Sequence, residues 1–269
     1  MNELSNRPLG NCGIDVSAVG LGTVKIGRNQ AVKYPRSFDL PTDKQVKSLL
    51  DLAQHLGINF LDTAPAYGES EERLGKLLRS RKNWILCTKV GEEFDGKHSS
   101  FDFTGKHVKR SVERSLRRLK TDYLDLVLVH SDGNDLDIIH ASDCLETLSL
   151  LKQSGHIRAF GMSTKTVSGG LEAVRLTDVV MITYNLSQQE DASVIDAAEK
   201  QHKGILIKKG LASGHVVEGT ETNEDGVSAN LELIFAKPGV SSVVIGTINP
   251  THLRQNVEAA TRILNPPAD

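Results

Sequence analysis

The sequence predicts an α/β fold, a closed (β/α)8 barrel (TIM barrel) of parallel strands that forms one domain over residues 1–269. Three observations predict it. Short β-branched runs alternate eight times with amphipathic helical patterns. The strand-like runs are apolar throughout, as strands covered on both faces are. The length of 269 residues suits one such barrel, typically ~250 residues.

The elements follow in order. RPLGNCGID, at about 7–15, carries Gly10-Asn11 and Cys12-Gly13 steps and reads as a small hairpin under the barrel. VSAVGLGT (16–23) is the first strand. Residues 42–57 form a helix that Thr42 caps and Gly57 ends, with Val46, Leu49, Leu50, Ala53 and Leu56 on one face. NFLDT (59–63) is the second strand, followed by a charged helix over 69–80. WILCTKV (84–90) is the third, followed by a helix over 104–119 with Val108, Val112, Leu116 and Leu119 aligned. The remaining strands are 125–130, 157–163, 179–184, 204–208 and 242–246. Helices over 143–154, 166–175, 190–201, 226–236 and 250–263 follow them, the last with Pro250 in its first turn. The longest loop, 24–41, follows a strand and so belongs to the functional face.

Composition excludes several classes of function. The net charge of −2 shows no basic imbalance to suggest nucleic acid. No apolar run approaches the ~20 residues that span a bilayer, and the opening MNELSNRPLG has no apolar signal-peptide core. The three cysteines, Cys12, Cys87 and Cys144, are odd in number and far apart, which argues against a disulfide framework or a thiolate metal site. A cytoplasmic protein with no metal is expected, with Cys87 a buried, inert thiol; oligomeric state leaves no mark in the sequence.

Active sites of such barrels gather at the C-terminal ends of the strands. The polar residues there are Thr23, Asp62, Tyr67, Lys89, His130, Ser163, Asn185, Lys208 and Thr247. Four stand out, because adjacent strands aim a carboxylate, a phenol, an ammonium and an imidazole at one place. Taken singly each has an ordinary role: Asp62 in a turn, Tyr67 on the rim, Lys89 reaching solvent, His130 a satisfied polar group. Together they suit proton chemistry at a carbonyl. A tyrosine with a pKa near ~10 needs a nearby cation to lose its proton readily. Lys89 supplies that cation and Asp62 holds it. Tyr67 then protonates a developing alkoxide, and His130 donates to the carbonyl oxygen and orients it. The attacking group must come from elsewhere, as hydride from a cofactor does.

No GxGxxG opens a helix and no GxxxxGKS is present, so neither a Rossmann nor a P-loop site is expected. The loops after the last two strands, KKGLASG (208–214) and GTINPTHL (246–253), are the barrel's own phosphate site, with free N–H groups of the last helix and the charges of Lys208 and Lys209 to hold an anion.

The chain resembles the aldo-keto reductase family along nearly its whole length. NFLDTAPAYGESEERLGKLL (59–78) is similar to the family's DTAxxYGxExxxG signature, and TKV (88–90), LVLVH (126–130) and VGLGT (19–23) follow the same pattern. The resemblance implies an NAD(P)H-dependent oxidoreductase acting on a small-molecule aldehyde or ketone. Asp62, Tyr67, Lys89 and His130 would be its catalytic tetrad, with Tyr67 the general acid. It implies cofactor contacts at Gly22, Thr23, Ser163, Thr164, Lys208, Leu211, Ser213, Gly246, Thr247, His252 and Asn256. NADP is the expected nucleotide, with NAD the alternative. The chain departs from the family's pattern at Thr164 and Met181, where carboxamide-binding side chains usually stand. It departs again at Lys208, where an aromatic ring often stacks, and at Gly246 and His252, where some members hold a 2′-phosphate.

The tryptophan often found after the catalytic histidine is missing from SDGNDLD (131–137), and the long closing C-terminal loop is absent, so an open pocket is expected. Loop 24–41 is its best wall; Lys25, Arg28, Lys33 and Arg36 read as solvated charges beside Tyr34 and Phe38. Two other readings differ in kind. One is a lyase using Lys89 as a Schiff base, which pairing with Asp62 opposes. The other is a non-catalytic sensor that binds the nucleotide.

Overall fold

The computed structural model describes residues 3–32, 34, 37–212 and 223–266. It opens on an antiparallel hairpin of Asn6–Pro8 (β1) and Asp15–Ser17 (β2). Three barrel strands follow: Val19–Gly22 (β3), Phe60–Asp62 (β4) and Ile85–Val90 (β5). A second hairpin, Glu92–Phe94 (β6) with Ser99–Phe101 (β7), stands on the rim. Then come Leu124–His130 (β8), Ile157–Ser163 (β9), Val179–Thr183 (β10), Gly204–Lys208 (β11) and Val240–Ile245 (β12). These five and β3–β5 form one closed, all-parallel barrel, with Val243 of β12 opposite Val19 of β3.

The helices are Val24–Gly27 (α1), Asp43–His55 (α2), Ser70–Leu77 (α3), Gly105–Leu119 (α4), Asp135–Ala141 (α5), Cys144–Gln153 (α6), Val167–Leu176 (α7), Ala192–Lys200 (α8), Asn223–Phe235 (α9) and Pro250–Leu264 (α10). The expected cap of α2 is a full capping box. The Thr42 hydroxyl accepts from Gln45 N–H, and the Gln45 side chain accepts from Thr42 N–H at 2.8 Å.

Two apolar layers hold the barrel. The outer one lies between strands and helices and includes Val46, Leu49 and Leu50 of α2 and Val108 and Val112 of α4. The inner one fills the barrel with Phe60, Cys87, Leu126, Leu128, Ala159, Val179, Met181 and Leu206. Leu9, Ile14 and Val16 of the first hairpin close its bottom. Gly20 makes room for the largest interior side chain, since a Cβ there would lie 2.5 Å from the Phe60 ring.

Three expectations change. The run 16–23 is two strands, because its first part pairs with β1 and only the part after Ala18 enters the barrel. The hairpin β6–β7 was not expected, although Asp95-Gly96 between two alternating runs is its signal. The loop after β8 is not wholly irregular, since its second half is α5. Among the described residues no helix is long and apolar enough to cross a membrane, and no cluster of three or more His, Cys, Asp or Glu is placed to hold a metal. Cys12, Cys87 and Cys144 are unpaired, and Cys87 is fully buried in the inner layer.

Candidate active site

The period of two along each strand selects the residues at the barrel mouth. Phe60, Cys87, Leu128 and Leu206 point inward, so Asp62, Lys89, His130 and Lys208, each two residues further on, continue the same rows upward. Register completes the ring: Gly22 sits beside Asp62, His130 beside Ser163, and Thr183 beside Lys208. The convergence expected from sequence is therefore a direct product of strand alternation in a closed sheet.

Lys89 Nζ donates to Asp62 Oδ1 at 2.6 Å and to the Thr63 carbonyl at 2.9 Å. Both side chains are almost wholly buried. The same ammonium lies 4.7 Å from the centre of the Tyr67 ring. Burial works against a charged Lys89, but Asp62 and Tyr67 outweigh it and its pKa is raised. Burial also pushes the Tyr67 phenol above its ordinary range; Lys89 pulls it down, and Asp62 pushes it back up. The expected downward pull of Lys89 is present, but it is not the net result, because burial outweighs it and Asp62 cancels part of the cation's field.

Tyr67 is held by a tight turn. Its N–H donates to the Ala64 carbonyl at 3.0 Å, and its carbonyl accepts from Ser70 N–H at 3.2 Å. Gly68 has φ +60°, and a Cβ there would lie 2.2 Å from the Gly27 carbonyl oxygen. Two backbones thus pass in contact behind the phenol. Arg28 joins the same packing, donating to the Ala66 carbonyl at 3.0 Å and stacking 3.5 Å over Phe94. This corrects its reading as a solvated charge, since its side chain is only 10% exposed. Lys25 is likewise engaged, 4.1 Å from the Tyr34 ring centre. Lys33 and Arg36 lie outside the described residues.

His130 meets Tyr67 edge to face, with ring centres 6.1 Å apart. Its Nδ1 is buried and lies 2.7 Å from Glu92 Oε2, a close approach bent from the in-line hydrogen-bond direction. Glu92 Oε1 accepts from the Ser99 hydroxyl at 2.6 Å, and Arg28 stands 3.8 Å away. Burial alone would raise the Glu92 pKa; contact with His130, Ser99 and Arg28 more than reverses this and holds it at about 2. Burial, with Lys89 and Lys208 nearby, lowers the pKa of His130 against the opposing pull of Glu92. Sequence reasoning missed Glu92 because it stands on the unforeseen hairpin.

A cleft of about 1630 Å³ runs from Tyr67, Asp62, Glu92 and His130 to Arg262 on α10. It is larger than the ~300–1,000 Å³ of ordinary ligand pockets, so it has room for an extended ligand and a second small molecule. Gly22, Thr164, Lys208, Leu211, Gly246, Thr247, His252 and Asn256 line it, as expected of cofactor contacts. Thr23 and Ser163 do not. Thr23 is buried, its hydroxyl donating to the Asp62 carbonyl at 2.9 Å and accepting from Ser70 at 2.7 Å. Ser163 is buried behind Lys208, whose Nζ donates to its hydroxyl at 2.8 Å and to the Thr164 carbonyl at 2.6 Å. Burial and the neighbouring Lys209 lower the Lys208 pKa to about 7. Met181 belongs to the inner core layer and offers the cleft nothing. Ser213 lies outside the described residues.

The residues present fit a nucleotide in one respect: the Thr164 hydroxyl is buried at the cleft wall without a hydrogen-bond partner. The end of α10 fits less well than expected. Asn249 Oδ1 accepts from Thr251 N–H at 2.9 Å and from His252 N–H at 3.4 Å, and Leu253 N–H is bonded to the Asn249 carbonyl. Pro250 has no N–H, so the first turn is already capped, and an anion must displace Asn249 or rely on side chains.

A closed parallel barrel with this mouth has many counterparts among known proteins. The model of the Aldo/keto reductase family matches residues 18–232. The chain is 30% identical to "Uncharacterized oxidoreductase YqkF" of Bacillus subtilis, over 96% of this chain and 91% of that one. It is 29% identical to L-galactose dehydrogenase of Arabidopsis thaliana, over 98% and 90%. The crystal structure of "the putative aldo-keto reductase" from Pseudomonas aeruginosa is 50% identical, covers 98% of each chain and superposes with a TM-score of 0.89. The family model spans seven of the eight barrel strands and Asp62, Tyr67, Lys89 and His130, and on that match the chain belongs to the aldo/keto reductase family of nicotinamide-dependent oxidoreductases.

Proposed function

We propose that this enzyme transfers hydride between a nicotinamide nucleotide and a carbonyl–alcohol pair, with Tyr67 as the proton donor to the carbonyl oxygen. The observation that carries the reading is the buried Lys89–Asp62 pair, 2.6 Å apart, with its ammonium 4.7 Å from the Tyr67 ring centre at the cleft mouth. The nucleotide, when bound, supplies the hydride. The chain's own groups handle the proton and the oxygen. Burial keeps Tyr67 a neutral phenol at ordinary pH, so it is loaded as a donor. As its proton leaves, Lys89 stabilises the phenolate, and Asp62 keeps Lys89 charged and in place. His130, across the cleft mouth from Tyr67, orients the substrate oxygen.

Gly22, Thr164, Lys208, Leu211, Gly246, Thr247, His252 and Asn256 would line the nucleotide, and NADP is the nucleotide proposed. The substrate is a small carbonyl compound or the matching alcohol. The similarity to L-galactose dehydrogenase makes sugar hydroxyls a sensible part of the panel. A Schiff base at Lys89 is disfavoured, since its raised pKa keeps it an ammonium without a free lone pair.

The test is fluorescence titration with NADPH and NADH, then turnover with carbonyl and alcohol panels. Tyr67→Phe should bind the nucleotide with unchanged affinity and lose turnover by about 10²-fold or more. Turnover by that variant at the wild-type rate would overturn the assignment of Tyr67.

A further inference from the structure

We propose that Lys208 discriminates between the two redox states of the nucleotide, its ammonium repelling the positive ring of the oxidised form and leaving the neutral ring of the reduced form undisturbed. This rests on the hydride-transfer reading and deepens it: the site keeps the nucleotide that reduces a carbonyl and lets the spent one go. β10 stands between β9 and β11 in the barrel, yet Lys208, at the end of β11, reaches past it to the end of β9. There Nζ donates to the Ser163 hydroxyl at 2.8 Å and to the Thr164 carbonyl at 2.6 Å. Neither acceptor carries a charge to balance the ammonium. Beside it the Thr164 hydroxyl is buried without a partner, so this wall has a polar group left for a ligand.

Hydride passes only by contact, so the ring that gives it must lie against a substrate carbon whose oxygen meets Tyr67. That puts the ring at the barrel mouth, in the cleft lined by Asp62, Tyr67, His130, Thr164 and Lys208. An eight-stranded barrel is only wide enough inside for side chains to fill it, so no part of its mouth is far from any strand end. The charge of Lys208 already reaches His130 on β8 and helps to lower its pKa. Two unit charges ~10 Å apart at an effective dielectric of ~20 shift a binding equilibrium by about 10-fold or more.

The charged groups around Lys208 are Lys209 beside it, Lys165 on the loop after β9, Asp135 on α5 and Asp191 before α8. Across the mouth stand Tyr67, His130 with Glu92, and the paired Lys89 and Asp62. Burial, followed by Lys209, holds the Lys208 pKa at about 7. The ammonium is therefore present in acid and absent well above neutrality. Binding of the oxidised nucleotide should expel its proton, and the preference for the reduced form should fade as pH rises through about 7. Both redox forms carry the same phosphates, so any pull of Lys208 on those cancels in the ratio of affinities.

The test is calorimetric titration of the protein with NADP+ and with NADPH, without substrate, at pH 6 and pH 9. In the wild type the ratio of the two dissociation constants should favour NADPH more at pH 6 than at pH 9. Lys208→Met should reduce that preference at pH 6 by about 5-fold and abolish the extra proton released on NADP+ binding, read from the buffer dependence of the enthalpy. Lys208→Arg, which stays charged, should keep the preference at pH 9. An equal ratio in the wild type and Lys208→Met at pH 6 overturns the proposal. So does equal weakening of both nucleotides in that variant, the mark of a phosphate contact. Binding of neither nucleotide to the wild type overturns the hydride-transfer reading and this inference with it, whereas binding of both with a ratio indifferent to Lys208 overturns this inference alone.

Discussion

Lys89 and Asp62 form an ion pair at 2.6 Å with both side chains at most 6% exposed. A buried pair of this kind is costly to break from one side, because the remaining charge is left without water or partner.

Asp62→Asn should therefore destabilise the fold by about 3 kcal/mol, measured as a shift in the urea midpoint. The double variant Asp62→Asn, Lys89→Met should lose less than the sum of the single variants, because it removes both charges. Strict additivity would mean that the two groups do not interact. Both single variants should also lose turnover.

Lys208 has its pKa lowered to about 7 by burial and Lys209, against ~10.4 in an unfolded chain. Between those values the unfolded chain binds the extra proton and the folded one does not, so this group makes stability rise as pH rises through that window. Lys208→Met should remove that contribution. The change in urea midpoint between pH 6 and pH 9 should be smaller in the variant, and an equal change in both proteins would refute it.

Glu92 titrates the other way. Its pKa is held at about 2 by His130, Ser99 and Arg28 after they offset burial, below ~4.3 in the unfolded chain. Its stabilising contribution is complete above the unfolded value and is lost as pH falls toward 2. Glu92→Gln should flatten acid unfolding in that range, followed by circular dichroism. Its partial exposure keeps the effect modest.

Gly68→Ala should cost about 1–3 kcal/mol. The residue has φ +60°, and the new Cβ would fall 2.2 Å from the Gly27 carbonyl. The turn would have to move, and Tyr67 with it, so the melting temperature and kcat should fall together. Full activity at a lowered melting temperature would mean that the turn yields without moving the phenol.

The barrel was legible because its cause is local. An apolar strand covered on both faces and an amphipathic helix write different periods into the chain, and eight repeats of the pair leave few other folds. Asp62, Lys89 and His130 were legible for the same reason: each stands at the end of an apolar run, and alternation decides which way it points. Glu92, Arg28 and Ser163 were not. Glu92 stands on a hairpin whose strands are three residues each, too short for periodicity to register. Arg28 has the composition of a solvated loop residue, and only packing against Phe94 and the Ala66 carbonyl makes it structural. Ser163 stands at the expected strand end, yet Lys208 from another strand occupies its hydroxyl.

By itself the sequence determined the closed barrel, the inward rows and the four side chains at its mouth, since these depend on spacing along one chain. Tertiary structure alone decided their electrostatics. Net pKa direction depends on burial and on distances between groups far apart along the chain, such as Lys89, Glu92, His130 and Lys208. Whether the N–H groups of α10 are free depends on where the Asn249 side chain turns. Spacing brings charges to the same mouth; which of them pair there is a matter of ångströms, and those exist only in the folded chain.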